Sequence, residues 1–309
     1  MTKIAACLLV FACLGAAPAA RAQRQPAAAP ADARAAELHA KLQRQLDEIA
    51  AGFDGVMGVA VKDLATGETF GAHNDVVFPQ ASSIKIAILV ELFRQAQAGA
   101  VRLDDRVEVK HGQMVGGSGV LQHFGDSASA VSLRDLTVLM IVLSDNTATN
   151  ILIDRVGLAS VNENLRRLGL QETRLARRMI DIEAQRAGRE NVSTPREMAA
   201  LLEMLQQGKA LDAQHTAAAL EILKYPKEGP LRRGLPERVA LADKSGTLAG
   251  VRCDSGIVLL PGRPYVISVM TTYGESQEAA ERAIGEVSRR VFDYFDRLAH
   301  ANAYGVRLP

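Results

Sequence analysis

Apolar residues recur at helical spacing near both ends of the chain. In the first stretch, which begins at Arg34, they fall at Leu38, Leu42, Leu46 and Ile49. In the second stretch they fall at Ala280, Ile284, Val287, Val291, Phe295 and Leu298. A spacing of three or four residues places these side chains on one face of an α-helix, so each stretch predicts an amphipathic helix packed against a core.

Short segments rich in β-branched residues lie between these two helices. They predict strands at residues 55–63, 67–73, 239–246, 254–260 and 265–272. An Ala-Thr-Gly sequence at residues 65–67 predicts the turn that joins the first two strands.

The middle of the chain has a largely helical pattern with clear helix-start signals. Ser132 is followed three residues later by Asp135, and Thr194-Pro195 is followed by Glu197. A hydroxyl at the N-cap, an acid three residues later and a proline at the first helical position are all favoured at helix N-termini.

The order of the elements predicts two domains. Two early strands, a helical insert, three late strands and a helix at each end indicate a discontinuous α/β domain, residues 34–81 and 226–300. The insert, residues 82–225, is expected to form an all-α domain.

The N-terminus has the three parts of a secretory signal peptide. Lys3 precedes an apolar run at residues 4–17, and Ala20-Arg21-Ala22 is a small-x-small cleavage site. The run is too short for a transmembrane span, so we expect cleavage near Ala22, a periplasmic or secreted protein and no stable membrane anchor. The Pro/Ala-rich residues 23–33 predict a flexible lead-in; a mobile alanine-rich tail is the alternative for the whole segment.

Composition is ordinary for a soluble enzyme, with 48% hydrophobic and 23% charged residues in 309. The net charge is +1, and removing residues 1–22 takes away Lys3 and Arg21, which leaves 34 bases, 35 acids and a charge of −1. This balance indicates no nucleic-acid partner.

The positions of the cysteines and histidines argue against a disulfide and against a metal site. Cys7 and Cys13 lie in the predicted signal, so only Cys253 remains and no intrachain disulfide is expected. The six histidines have no metal-ligand spacing, so neither a metal site nor a cofactor is predicted.

Ser82 and Lys85 are the first candidates for chemistry, in "QASSIKIAILVELF". They are three residues apart at the head of an apolar helix, so their side chains emerge on the same side. A serine hydroxyl needs a group that takes its proton, and a lysine can do so once its pKa falls from about 10.4. By itself this spacing is weak evidence for catalysis, because a helix-capping serine explains it equally well.

Two further motifs follow along the chain. Residues 144–146, Ser-Asp-Asn in "LSDNTATN", lie in a tight connection between two apolar helices. Residues 244–246, Lys-Ser-Gly in "DKSGTLAG", end a predicted strand. Read separately, the first is a helix stop with an N-cap and the second a polar strand end.

Taken together in this order, the three motifs resemble the signature set of class A β-lactamases and penicillin-binding serine hydrolases. The resemblance extends from about residue 38 to residue 300 and includes "GVAVKDLATGETFGAHND" and "RCDSGIVLLPGRPYVISVMTT". It implies a β-lactamase/transpeptidase-like fold, with an antiparallel five-stranded sheet, terminal helices and an inserted helical domain. The motifs would lie at a helix start, in an interhelical loop and on an inner strand.

The resemblance also implies catalytic roles. Ser82 would attack the lactam carbonyl, Lys85 would accept its proton, and Ser144 would pass a proton to the leaving nitrogen. Lys244 would bind the substrate carboxylate and lower the pKa values around Lys85. The backbone N–H groups of Ser82 and Thr247 would form the oxyanion hole.

Further residues would bind substrate in such a family member. Ser245 and Gly246 belong to the same strand motif as Lys244, and Arg252 would assist in binding the carboxylate. Asn146 would contact the side-chain amide of the substrate. Asp145 is interpreted as structural.

The family's loop glutamate, which holds the deacylating water, is missing. Alignment from the left places Met179 at its position and alignment from the right places Arg178 there. Asn191 replaces the aspartate that closes the neck of this loop, and Asn150 is left without its usual partner. The residues that acylation needs are therefore expected to be complete, whereas those that deacylation needs are in question.

Two acids in "RRMIDIEAQRA" could replace the glutamate. Asp181 is the first candidate for the base that activates water, with Glu183 behind it. The alternative is that both are solvated charges beside the loop arginines.

Three functions stay open. The first is a β-lactamase that opens the β-lactam amide through an acyl-Ser82 intermediate. The second is a penicillin-binding, D-Ala-D-Ala peptidase-like hydrolase with a peptidoglycan-like substrate, and the third is a non-catalytic envelope protein.

The protein is expected to be a monomer. The Gly-rich residues 116–119 form either a cleft wall or a surface turn.

Overall fold

The structure is a computed structural model that describes residues 2, 33–125, 130–302 and 304–308. The predicted signal peptide, apart from Thr2, and the lead-in up to residue 32 lie outside the described residues. Helix α1 (Ala33–Gly52) begins at the last residue of the predicted lead-in.

The strands form one main sheet and two short ribbons. They are β1 (Val56–Asp63), β2 (Thr69–Ala72), β3 (Phe78–Pro79), β4 (Arg106–Glu108), β5 (Ala130–Ser132), β6 (Val192–Ser193), β7 (Leu241–Leu248), β8 (Val251–Val258) and β9 (Tyr265–Thr272). The main sheet is antiparallel in the order β2-β1-β9-β8-β7, and the ribbons are β3-β6 and β4-β5. The predicted five-stranded antiparallel sheet is confirmed.

The remaining helices follow the prediction of a helical middle and a C-terminal helix. They are α2 (Lys85–Gln97), α3 (Leu133–Val142), α4 (Asn146–Val156), α5 (Leu158–Arg167), α6 (Ile182–Arg186), α7 (Pro195–Gln206), α8 (Ala213–Lys224), α9 (Pro230–Arg233) and α10 (Gln277–Ala299). Ser132 accepts from the Asp135 N–H and Thr194 from the Glu197 N–H, which confirms both predicted caps. No helix among the described residues is long and apolar enough to cross a membrane.

Strand β7 differs from the prediction of an inner strand. It is the edge strand, because β1 pairs with β9 and only β8 pairs with β7. Its first four residues are nevertheless buried, since the turn that precedes α2 and helix α8 pack against it. Strand β8 begins at Val251, three residues before the predicted strand.

Two hydrophobic cores lie on opposite faces of the sheet. Helices α1 and α10 cover one face with side chains such as Leu46 and Phe295, and the helical region covers the other with Ile88 and Leu202. Every residue of β8 is buried, because both faces are covered. For the same reason its sequence lacks the alternation of a half-exposed strand. The predicted division into residues 34–81 with 226–300 and residues 82–225 stays a prediction.

Helix α2 runs through the centre of the helical region. The residues from Lys85 to Phe93 are all buried. A lysine at the first position of such a helix is therefore placed in the interior, where its charge must be compensated or reduced.

Candidate active site

Ser82 lies in a single 3₁₀ turn, Ala81–Ile84, immediately before α2. The preceding Ala81 has a φ of +46°, a conformation that costs free energy in a residue with a side chain. Ser83 holds the turn to strand β7 by donating its hydroxyl to the Lys244 carbonyl oxygen at 3.1 Å. Ser82 itself is partly exposed.

Gly246 allows this turn and β7 to approach each other. A Cβ at this position would lie 2.6 Å from the Gln80 carbonyl oxygen and 2.7 Å from the Ser82 amide nitrogen. Both atoms belong to the backbone and cannot move away as a flexible side chain could. The glycine of the Lys-Ser-Gly motif is therefore required for a steric reason.

Lys85 is fully buried and contacts the second motif. Its Nζ donates to the Ser144 carbonyl oxygen at 2.7 Å, to Ser144 Oγ at 3.1 Å and to Asn146 Oδ1 at 3.1 Å. Burial, and next the charge of Lys244, lower the pKa of Lys85 well below its usual value, while Asp145 opposes the shift. A lysine in this environment can accept a proton.

The Ser144–Asn146 segment connects α3 and α4. Ser144 has a φ of +54°, and Asp145 caps α4 by accepting from the Ala148 N–H at 2.8 Å. The other carboxylate oxygen of Asp145 accepts from the backbone N–H groups of Val120 and Leu121 at 2.7 and 2.9 Å. These bonds agree with the structural role expected for Asp145.

Strand β7 supplies a second buried lysine. Lys244 donates to the Ser245 carbonyl oxygen at 2.8 Å. Burial lowers its pKa to about 8, against the opposing charges of Asp243 and Asp254. Arg252 on β8 lies opposite Thr247, and its Nη1 donates to Thr247 Oγ1 at 2.7 Å. Arg252 Nη2 also pairs with Glu281 Oε1 at 3.2 Å.

A cavity of about 230 Å³ opens beside Ser82. Asn146 and Thr247 line it together with Gly117 and Ser118 of the Gly-rich segment. Asn146 fixes that segment: its N–H donates to the Ser118 carbonyl oxygen at 3.1 Å, and its Nδ2 donates to that of Gly116, also at 3.1 Å. Of the two interpretations of residues 116–119, the cleft wall is the one that the structure supports.

The opposite wall is the loop that contains "RRMIDIEAQRA", and it places Met179 against Asn150. The Met179 N–H donates to Asn150 Oδ1 at 2.8 Å, and Asn150 Nδ2 donates to the Met179 carbonyl oxygen at 3.1 Å. Arg178 instead extends outward to Asp154 at 2.8 Å. Of the two alignments, the structure matches the one with Met179 opposite Asn150.

Asp181 and Glu183, the two candidates for the water-activating base, follow Met179 in this loop. The Asp181 Oδ1 accepts from the Ala184 N–H at 2.9 Å and so caps helix α6. Neither Asp181 nor Glu183, which is exposed, is among the residues that line the cavity. The expectation rested on distance along the chain, and the direction of the side chain is decided by the cap.

The neck of the loop is closed by an acid that the sequence did not reveal. Arg177, 6% exposed, pairs with Glu190 through Nε–Oε1 and Nη2–Oε2 distances of 3.0 Å each. Asn191 Oδ1 accepts from the N–H groups of Ala176 and Arg177 at 2.7 and 3.0 Å. The carboxylate expected at position 191 is thus present one residue earlier, at Glu190. The position of a glutamate directly before Asn191 was the feature of the sequence from which this pair could have been predicted.

A second missed residue, Glu197, fixes the chain before this loop. Its carboxylate accepts from the backbone N–H groups of residues 171, 172 and 173 at 2.7 to 3.1 Å. The sequence identified Glu197 only as a helix-start residue. Among the described residues no group of three or more His, Cys, Asp or Glu could hold a metal ion.

Comparisons with known proteins agree with this arrangement. The model of the β-lactamase enzyme family matches residues 41–295. The β-lactamase SME-1 of Serratia marcescens is 27% identical over 262 residues, which cover 82% of this chain and 88% of that protein.

Solved structures with the same fold include PBP-A and a β-lactamase from Sphaerobacter thermophilus. PBP-A is 30% identical with a TM-score of 0.76, and the match covers 83% of this chain and 96% of that one. The Sphaerobacter enzyme is 32% identical with a TM-score of 0.74, covering 84% and 97%.

The neck pair predicts a stability effect. Glu190→Gln leaves the buried Arg177 charge without its partner, so we expect the free energy of unfolding to fall by about 2–4 kcal/mol. Glu183→Gln, an exposed acid in the same loop, is the matched control and should change it by less than about 0.5 kcal/mol. Urea unfolding of both variants measures the difference, and equal effects would contradict the role of the pair.

Proposed function

Because the chain belongs to the β-lactamase enzyme family, we propose that it is a serine hydrolase that β-lactams acylate at Ser82 and that releases the acyl group slowly. One observation carries the proposal. Lys85 contacts Ser144 and Asn146 beside the Ser82 cavity, whereas no Asp or Glu is among the described residues that line it.

Acylation uses the two lysines and two hydroxyls. Lys85, whose pKa is lowered well below its usual value by burial, takes the proton of Ser82 while the serine oxygen bonds to the lactam carbonyl carbon. The N–H groups of Ser82 and Thr247 stabilise the negative charge that develops on the carbonyl oxygen. The C–N bond then breaks, and the nitrogen takes a proton from Ser144, which Lys85 replenishes across 3.1 Å.

Strands β7 and β8 supply the groups that bind the substrate carboxylate. Lys244 supplies the charge, Ser245 a hydroxyl, and Arg252 a guanidinium anchored on Thr247. Gly246 contributes by its lack of a side chain, since it brings this strand to Ser82. Asn146 orients the acyl side of the substrate.

Deacylation lacks an evident base. The residue opposite Asn150 is Met179, which cannot activate water, and the amide of Asn150 is occupied by the Met179 backbone. Asp181 caps a helix outside the cavity lining. A general base contributes about 10²–10⁴-fold to such a step, so its absence favours a long-lived acyl-enzyme.

A second candidate is a D-Ala-D-Ala peptidase-like hydrolase that acts on a peptidoglycan-like substrate. It would use the same acylation machinery. The L158E variant of the neighbour PBP-A, at 29% identity and a TM-score of 0.76, was solved as an acyl-enzyme complex with penicillin G, which supports the acylation step that both candidates share. Release of D-alanine from a D-Ala-D-Ala peptide would support this candidate.

The proposal is tested with a chromogenic cephalosporin and intact-mass spectrometry. We expect a burst of about one equivalent, a covalent adduct on the protein, and neither in Ser82→Ala. Sustained turnover without an accumulated adduct would contradict slow release. No adduct with any β-lactam would contradict the proposal itself.

Replacing Met179 tests the missing base. We expect Met179→Glu to speed decay of the acyl-enzyme at least about tenfold, because it introduces a carboxylate opposite Asn150. Met179→Gln introduces a side chain of the same length as glutamate that cannot act as a base, so it should leave the decay rate of the acyl-enzyme near that of the wild-type protein. Mass spectrometry after removal of excess cephalosporin measures the decay, and equal rates in the two variants would count against this position.

The pKa of Lys244 predicts a pH dependence. Because it lies at about 8, Lys244 is charged below that pH and loses its proton above it. The rate of acylation by a penicillin carboxylate should therefore fall as pH rises through about 8. The methyl ester of the same penicillin has no anion to bind and should show no such fall; a parallel decline for both compounds would be inconsistent with this role.

A further inference from the structure

Helices α1 and α10 leave a groove between them, on the face of the sheet opposite the helical region. Two adjoining cavities of about 360 Å³ and 170 Å³ form the groove, and Leu38 and Arg297 line both of them. The larger cavity lies between the start of α1 and the C-terminal residues. The match to the β-lactamase family covers residues 41–295, so every described residue that lines the larger cavity lies outside that match.

The groove is basic. Asp293 is the one acid among its described lining residues, whereas five lining side chains carry a basic group. The basic residues are Arg34, Lys41, Arg290, Arg297 and Arg307. An excess of one sign of charge in a concave surface attracts ligands of the opposite sign.

Only part of this positive charge is neutralised by neighbouring acids. Arg307 pairs with Asp296 at 3.0 Å, and Arg290 pairs with Glu286 at 2.7 Å. The side chains of Lys41 and Arg297 have no ion pair or hydrogen bond to any other residue in the described part of the chain. Positive charge is therefore available at these two residues.

A short hairpin beside the larger cavity exposes apolar side chains. Asn302 Oδ1 accepts from the N–H groups of Tyr304 and Val306 at 2.9 and 3.0 Å, which fixes the hairpin. Tyr304 is 76% exposed, Val306 60% and Leu308 49%. The Arg34 guanidinium lies 5.6 Å from the centre of the Tyr304 ring. Apolar and cationic groups thus share one surface.

The shape of this surface indicates what it binds. Tyr304, Val306 and Leu308 are not among the residues that line the cavities, so they protrude beside the groove instead of forming its floor. Protruding apolar side chains, tyrosine above all, are favoured in the interfacial layer of a bilayer when basic residues lie next to them. A second copy of the chain suits the surface less well, because a two-fold interface here would bring the same basic groove against itself.

We propose that the groove and the hairpin form a surface by which the protein docks reversibly on anionic phospholipid bilayers. The apolar side chains of the hairpin leave water for the bilayer interface, and Lys41 and Arg297 meet the phosphate groups of the lipids. Such docking needs no membrane-spanning helix. Ser82 belongs to the region on the other face of the sheet, so the inference is independent of the proposed acylation.

Sedimentation with lipid vesicles tests the basic groove. We expect the wild-type protein to bind vesicles that contain phosphatidylglycerol and phosphatidylcholine far more tightly than vesicles of phosphatidylcholine alone. Arg297→Gln should weaken binding about fivefold, because one basic residue near an anionic surface contributes about 1 kcal/mol.

Arg282→Gln is the matched control for this change of charge. Arg282 is an exposed residue of α10 that is not among those lining the groove. It lies about 22 Å along the helix from Arg297, which exceeds the screening length of about 10 Å in 0.1 M salt. Its replacement should change the affinity for the vesicles by less than about twofold. Equal effects of the two substitutions would contradict a role of the groove.

A tryptophan at the hairpin tests insertion directly. The chain contains no tryptophan, so Tyr304→Trp places a single fluorescent reporter there. We expect its emission to shift to shorter wavelength on phosphatidylglycerol vesicles, because the indole enters a less polar layer. Tyr273→Trp is the control, since Tyr273 is 81% exposed and precedes Gly274, which lies beside Phe53 at the other end of α1. Its emission should stay unchanged.

Several results would overturn the inference. They are an absence of binding to phosphatidylglycerol vesicles, equal binding to both kinds of vesicle, and a shift in Tyr273→Trp without one in Tyr304→Trp. A dimer in solution that Val306→Asp dissociates would assign the hairpin to a second copy. Displacement by inorganic phosphate, but not by chloride at equal ionic strength, would assign the groove to a free anion.

Two further measurements complete the test. Binding to polyglutamate as tight as binding to the anionic vesicles would assign the surface to an acidic protein and overturn the inference. Ser82→Ala should bind the vesicles as the wild-type protein does. If no β-lactam acylates the protein but the vesicle results are as expected, the proposed function fails and this inference stands.

Discussion

Strand β7 lies so close to the turn that carries Ser82 that only glycine fits at position 246. This backbone-to-backbone approach joins the sheet to the helical region at the point where the chemistry would occur. The Ser83 hydroxyl reinforces it through the Lys244 carbonyl oxygen. This contact sets the positions of the two lysines of the site. Strand β7 carries Lys244 on one side of the contact, and helix α2 carries Lys85 on the other.

Burying two lysines near one another has an electrostatic cost that the surroundings reduce only in part. The pKa of Lys85 falls well below its usual value, and that of Lys244 falls to about 8. The two residues then suit different tasks, one as a proton acceptor and the other as a cation near neutral pH. Asp145 limits the shift at Lys85, and its carboxylate also holds the Gly-rich wall at Val120 and Leu121.

The loop opposite that wall keeps its architecture without its carboxylate in the cleft. The Arg177–Glu190 pair closes its neck, and Asn150 holds the Met179 backbone. Apolar side chains such as Met179 and Ile182 line the space beside Ser82 together with polar ones such as Gln185 and Asn191.

The sequence by itself determined the elements that depend on local spacing. Helical periodicity located α1 and α10, hydroxyl caps located the starts of α3 and α7, and three ordered motifs identified the residues of the candidate site. Only the tertiary structure decided that β7 is an edge strand, that Glu190 closes the loop and that Asp181 caps α6. Those outcomes depend on contacts between distant segments and on the direction of a side chain, and spacing along a chain encodes neither of them.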